Sequence, residues 1–263
     1  MTLGAEQRGR LDIFRAMLLD RNRALNLTAI TDPHEVWVRH FEDSLAAVPL
    51  LRRMTTACGR MTSPSASGSP ERRATDGGSG AVRRDSPRLI DVGSGAGFPG
   101  LVLAIALPEW EVTSIEATGK KARFQEEVIA ELGLPNARVI HERAERVARD
   151  PAHRERYDVA TARAVAPLAT LAEITLPFVR IGGCVIAWKG RGAGDEAAAS
   201  RAALEKLGGR LQAEVPYSLS GFAERPETAA APSSLRLLAL RKSKATPIRY
   251  PRRPGIPRKR PLR

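Results

Sequence analysis

The chain has 263 residues, a formal net charge of +13 and two cysteines. That length supports one domain with additions, and no apolar run reaches the ~18 residues that a membrane-spanning helix needs. Cys58 and Cys184 stand far apart in no metal-ligand pattern, and Cys184 sits in an apolar run as a core residue would.

The opening residues, Met1 to Arg8, carry no basic-then-apolar leader. A cytoplasmic protein without disulfides or metal is expected, with a monomer as the default. The positive charge is unevenly placed. Residues 241–263 hold ten Lys or Arg and no acid, and residues 59–88 hold six basic and three acidic residues. The remainder carries 26 of each sign and is neutral. A basic tail points to a polyanion such as RNA, while a solvated terminus is the plainer reading.

In chain order, Leu11, Phe14, Leu18 and Leu25 recur at helical spacing. A second helix has start chemistry in Asp32 as cap, Pro33 in the first turn and Glu35 placed for a capping box. Trp37, Phe41, Leu45 and Val48 then share an apolar face. Residues 1–55 therefore read as a helical cap. Ser, Gly, Pro and Arg dominate residues 56–87, which cannot bury enough apolar area to offset ordering entropy and read as a flexible insert.

From residue 88 strands and helices alternate. Strands are expected at 88–92, 111–116, 137–141, 157–162 and 183–188, and helices at 98–107, 119–132, 167–178 and 195–208. Two closing strands, 210–218 and 234–241, lack a helical crossover, so an antiparallel last strand is expected. The pattern predicts an α/β fold with a mostly parallel seven-stranded sheet and helices on both faces, preceded by the helical cap. Residues 242–263 form the basic, Pro-rich tail.

The most informative stretch is Leu89 to Gly100, an apolar strand ending in Asp91-Val92 and a turn holding Gly93, Gly95 and Gly97. Glycines there let the backbone approach a ligand. Glu116 ends the next strand 23 residues after Gly93, the usual reach to a ribose-binding carboxylate. A site for an adenosine-containing cofactor follows. A dinucleotide fingerprint fits literally at Gly95–Gly100, but the first glycine after the strand is Gly93, which puts Phe98 at the third glycine position. The Asp91–Gly97 form instead resembles the loop of class I methyltransferases, which bind S-adenosylmethionine.

After the third strand, a backbone amide of Ala144 or Glu145, or the Glu145 side chain, could meet the adenine edge; a plain surface role is the alternative for Glu145. Arg163, at the end of the fourth strand, could hold the cofactor carboxylate, a phosphate or a base edge, or form a structural ion pair. No motif for methylation of exocyclic base amines follows that strand, no Pro-Cys pair suits attack at cytosine C5, and no Tyr-x-x-x-Lys pair marks a dehydrogenase. His34, His40, His141 and His153 make no metal spacing, and His40, Asp43 and Ser44 are helix neighbours rather than a triad.

Several separated blocks agree with one family. Asn26–Ile30, Arg39–Leu45, Asp91–Gly100, Thr161–Ala164, Trp188–Gly190 and Tyr250–Leu262 together resemble the ribosomal small-subunit methyltransferase G family. The resemblance spans nearly the whole chain outside the insert. It implies a class I (Rossmann-like) methyltransferase fold, with residues 88–241 as the S-adenosylmethionine-binding domain. It implies transfer of a methyl group to N7 of one guanine, position 527 in the 530 loop of 16S ribosomal RNA, with the free RNA or the 30S subunit as partner. Carried over by position, cofactor contacts fall at Gly93, Phe98, Ala144, Glu145 and Arg163. Glu116 stands where class I enzymes put the ribose carboxylate. Guanine N7 has a free lone pair, so no catalytic acid or base is expected. RNA contacts are expected from Arg252, Arg253, Arg258, Lys259 and Arg260 on an extended tail, and from Arg39 and His40 on the cap. The alternatives are a class I methyltransferase with another RNA, protein or small-molecule substrate, a non-catalytic RNA-binding assembly factor and, more remotely, an NAD enzyme.

Overall fold

The structure, a computed structural model, describes residues 3–60, 86–164, 166–220 and 235–262. Most of the predicted insert therefore lies outside the described residues. The strands are β1 (Arg88–Val92), β2 (Glu111–Glu116), β3 (Ala137–His141), β4 (Tyr157–Arg163), β5 (Val179–Lys189), β6 (Gly209–Tyr217) and β7 (Leu235–Lys242). They form one sheet in the order β3-β2-β1-β4-β5-β7-β6. The pairs β1·β2, β1·β4, β2·β3 and β4·β5 are parallel, and β7 runs antiparallel to β5 and β6. The expected antiparallel last strand is thus present, inserted between β5 and β6.

Strand periodicity sorts the core onto two faces. Ile90, Ala160, Val185 and Leu240 pack with the helix α8 (Leu168–Thr175) on one face. Their chain neighbours Leu89, Val159, Cys184 and Ala239 pack with α5 (Gly100–Ala106) and α4 (Val48–Arg60) on the other. Cys184 is a core residue, as its sequence context indicates. The longer helix α6 (Gly119–Leu132) joins β2 to β3.

The cap is α1 (Ala5–Leu25) followed by a broken helical segment. Leu11, Phe14 and Leu18 of α1 meet Phe98, Leu101 and Ile105 on α5 and its entry, and Phe124 and Val128 on α6. Asp32 caps α2 (Pro33–Val36) by accepting from the Glu35 amide at 2.8 Å. The carboxylate of Glu35 turns to Arg39 instead of completing the capping box. The expected single helix is interrupted: a π-helical turn spans Trp37–Glu42, a short α3 covers Asp43–Leu45, and α4 then runs to Arg60, into the predicted insert. The expected helix at 167–178 tightens into a 3-10 turn at Leu176–Phe178, where Pro177 has no amide to donate. That at 195–208 divides at Ser200 into α9 (Ala193–Ala199) and α10 (Arg201–Lys206). Two single turns, α7 (Ala144–Val147) and α11 (Ile256–Lys259), complete the set.

The chain winds outward from β1 to β3, then returns to β4 on the other side of β1. That reversal opens a crevice at the C-terminal ends of β1 and β4, the general ligand position of such sheets. The turn into α5 is tight there. A Cβ at Gly100 would come within 2.7 Å of Ser114 Oγ and 2.8 Å of Asp91 Oδ2. Gly100→Ala is expected to cost about 1–3 kcal/mol through overpacking. A lowered urea midpoint checks this, and an unchanged midpoint contradicts it.

Candidate functional site

Asp91 and Glu116 fix the glycine turn. Asp91 is fully buried; Oδ1 accepts from Thr161 Oγ1 at 2.9 Å and Oδ2 from the Gly100 amide at 2.8 Å. Burial pushes its carboxyl up to about 6 despite both hydrogen bonds. Glu116 Oε2 accepts from the Gly95 amide at 2.9 Å and Oε1 from the Thr118 amide at 2.7 Å. Gln125, buried in α6, donates to Ser94 Oγ and Gly95 O, both at 2.8 Å. Gly93, Gly95 and Gly97 have φ of 74°, 59° and 102°, the left-handed region that glycine reaches without strain.

A cleft opens beyond this turn at the ends of β1, β2 and β3. Its lining includes Gly93, Glu116, Ala144 and Glu145, four of the eight cofactor residues expected from sequence. Apolar Val92, Ile115 and Ile174 supply its walls. Gly95 acts through its bond to Glu116. Gly97 packs beneath the cap, where a Cβ would meet Leu101 at 2.8 Å and Phe14 at 3.2 Å.

Phe98 and Arg163 lie outside that lining. The Phe98 ring stacks with His40 at 4.7 Å and Phe14 at 5.1 Å, and the Arg163 guanidinium lies 5.5 Å from its centre. Arg163 Nη1 donates to Asp43 Oδ2 at 2.7 Å and to Arg39 O at 2.8 Å, while Nη2 donates to His40 Nδ1 at 3.2 Å. Of the roles open to Arg163, the ion pair is the one seen. Asp43 ties the network to the far side of the sheet: its carboxylate accepts from Tyr217 Oη at 2.5 Å and its carbonyl from Trp188 Nε1 at 2.8 Å. Burial beside Asp43 pushes the Tyr217 hydroxyl well above the usual phenol range.

His40, expected as an RNA contact, is half-buried with both ring nitrogens engaged within the protein. Arg163 occupies Nδ1, so Nε2 carries the proton and donates to Thr28 Oγ1 at 2.8 Å. Burial and the Arg163 charge hold its pKa down to about 4. Arg39 is exposed and paired with Glu35.

The tail also departs from the extended arm expected. Arg154 donates to Tyr250 O at 2.9 Å and Thr246 O at 2.7 Å, and Arg149 to Pro251 O at 2.6 Å. Lys242, fully buried, donates to Leu176 O at 2.7 Å and lies 3.1 Å from Glu155. Arg252 is not a free RNA contact: Nε and Nη2 donate to the fully buried carboxylate of Glu173 at 2.9 and 2.6 Å. Buried carboxylates recruit such partners because an unpaired charge there is costly. Arg253, Arg258, Lys259 and Arg260 remain exposed. Glu145, expected at the adenine edge, accepts from the Gly255 amide at 2.9 Å, and Gly255, Pro257 and Arg258 line the cleft. Sequence reasoning missed Gly255, Pro257 and the Glu173 anchor, and it expected Arg258 at the RNA rather than in the cleft lining. An acid inside the apolar run Leu171–Leu176 was the available signal.

The cleft suits a nucleoside. It pairs apolar walls with a Glu116 carboxylate that has given one lone pair of each oxygen to a backbone amide and keeps a second acceptor position on each. Among the described residues, no group of His, Cys, Asp and Glu could hold a metal ion.

A family described as rRNA small subunit methyltransferase G matches residues 78–219. A curated relative from Pelotomaculum thermopropionicum, named Ribosomal RNA small subunit methyltransferase G, is 41% identical over 95% of this chain and 88% of its own. One of the same name from Roseiflexus castenholzii is 42% identical over 95% of this chain and 89% of its own. Another from Leuconostoc citreum is 35% identical over 100% and 94%.

The His40 geometry has a pH consequence. The folded protein takes up this proton less readily than the unfolded chain, whose histidine titrates near 6.5. Stability from this group is complete above about 6.5 and lost as pH falls toward about 4. A melting temperature that drops across that window, with a smaller drop in His40→Gln, is expected. An identical acid response in both proteins contradicts it.

Proposed function

The chain belongs to the rRNA small subunit methyltransferase G family, and on that footing we propose that it methylates N7 of a guanine, position 527 in the 530 loop of 16S ribosomal RNA, using S-adenosylmethionine. It acts as a monomer in the cytoplasm on the small ribosomal subunit. The observation that carries this reading is the cleft itself: a glycine turn, a braced carboxylate at the end of β2 and the first amides of α7 converge at the sheet reversal.

S-adenosylmethionine, when bound, supplies an electrophilic methyl group. Glu116 holds the ribose hydroxyls. The first amides of α7, which have no intrahelical acceptor, face the adenine edge. Gly93 and its turn admit the amino-acid end without a side chain in the way. Guanine N7 attacks through a lone pair and loses no proton, so the chain supplies alignment and water exclusion rather than a base. Arg163 lies at the end of β4, outside the cleft lining. Its guanidinium is already held by Asp43, Arg39 O and His40, so it offers a charge of fixed position to the cofactor carboxylate or the substrate.

Arg253, Lys259 and Arg260 are exposed on the docked tail and supply phosphate contacts. Replacing all three with Gln is expected to flatten the salt dependence of RNA binding by about 2–3 in log–log slope, at ~0.7–0.9 per phosphate. An unchanged slope removes them from the interface. The rate of methyl transfer is expected to be flat between about pH 6.5 and 8.5; a bell with two steep limbs means that an acid and a base take part.

Transfer of labelled methyl to 30S subunits lacking the modification, mapped by cleavage at 7-methylguanine, tests the reading. One cut in the 530 loop supports it. Cofactor binding with no incorporation into subunits or free 16S RNA redirects the search to another substrate.

A further inference from the structure

The C-terminal segment is pinned against the cleft at several independent points. Arg252 meets Glu173 three times: through its amide at 2.9 Å, Nε at 2.9 Å and Nη2 at 2.6 Å. Thr170, from the same helix, donates to Pro257 O at 3.0 Å. Gly255 donates to Glu145 at 2.9 Å. At and just beyond those anchors, Gly255, Pro257 and Arg258 face the same space as Gly93 and Glu116. None of this serves an arm whose task is only to meet RNA. A flexible arm gains nothing from a fully buried acid that must be neutralised by its own arginine.

We propose that residues 252–258 form a wall of the cofactor cleft, opposite Glu116, and that the Glu173–Arg252 pair is the positioning device that holds this wall in place. The inference rests on the reading of the cleft as a site for an adenosine-bearing cofactor. Glu173 and Arg252 lie outside the cleft lining and act through Gly255, Pro257 and Arg258, which are part of it. Because the wall belongs to both the site and the tail, cofactor binding and tail docking are linked. What stabilises one stabilises the other by the same factor.

The test uses full-length protein and S-adenosylhomocysteine as the probe. Calorimetry gives its affinity for wild type, Glu173→Gln, Arg252→Gln and the double variant, well below each melting temperature. Limited trypsin digestion reads cleavage after Arg258 and Lys259, sites that every variant keeps, with and without the probe. Each single variant is expected to bind the probe about tenfold more weakly, the loss of one charge-assisted anchor. The double variant, in which two amides can still pair, is expected to recover part of that loss. The probe is expected to slow cleavage of the tail in wild type and to lose that effect in the single variants. A purely structural role would lower melting temperatures but leave probe affinity and probe-dependent protection intact. Affinities within about twofold of wild type in both single variants, with protection unchanged, overturn the proposal. Failure of wild type to bind the probe instead overturns the reading of the cleft.

Discussion

Asp91 and Glu116 grip the glycine turn between β1 and α5 from two strands. Asp91 does so from inside the sheet, joining the start of α5 to Thr161 on β4. Glu116 does so from the neighbouring strand, through the Gly95 amide. The turn is therefore a rigid rim rather than a loose loop. A buried carboxylate that satisfies backbone amides on an adjoining segment is a strong positional constraint, since losing the amides would leave the charge unpaired. The cleft inherits its shape from these two residues. The cap contributes differently: Phe14, Phe41 and Phe98 form one aromatic cluster that seats α1 and the π-helical turn against α5.

The π-helical turn brings a second charged network to the same rim. Arg39 O, His40 and Asp43 all lie on or beside it, and all three engage Arg163 at the end of β4. Ala164, the next residue, has a φ of 54°, a conformation that costs a non-glycine residue of order 1 kcal/mol or more. Strain, an interrupted helix and an ion pair thus coincide where the C-terminal edge of the sheet meets the cap. A neutral His40 is part of that arrangement, since a second positive charge beside Arg163 would be repelled.

The strands were legible because their apolar runs are short, regularly spaced and bounded by turn residues. All seven formed where alternation and spacing indicated, β5 beginning four residues earlier than expected. Gly93 and Glu116 were legible for a related reason: a turn after one strand and an acid at the end of the next are local signals. Helix interruptions were not. Trp37, Phe41 and Leu45 repeat every four residues, which fits a regular helix as well as the widened turn that forms. The tail was misread because its composition describes a solvated, basic segment. Its fate is decided by Glu173 and Glu145, which lie 79 and 110 residues away from the groups they hold. Long-range pairing of that kind leaves no periodic trace. Arg163 was noticed as an arginine among small apolar residues, but its partners come from a helix more than 100 residues earlier.

Glu116 on the sheet and Gly255, Pro257 and Arg258 on the tail line one cleft, and the proposed adenosine-bearing ligand would lie between them. The most direct measurement is a crystal structure of the full chain with S-adenosylhomocysteine. The account predicts ribose hydroxyls on Glu116, adenine beside Ala144 and Glu145, and residues 252–258 still docked against the ligand with Arg252 on Glu173. Ligand density elsewhere, or a tail displaced from the cleft with the ligand in place, would contradict it.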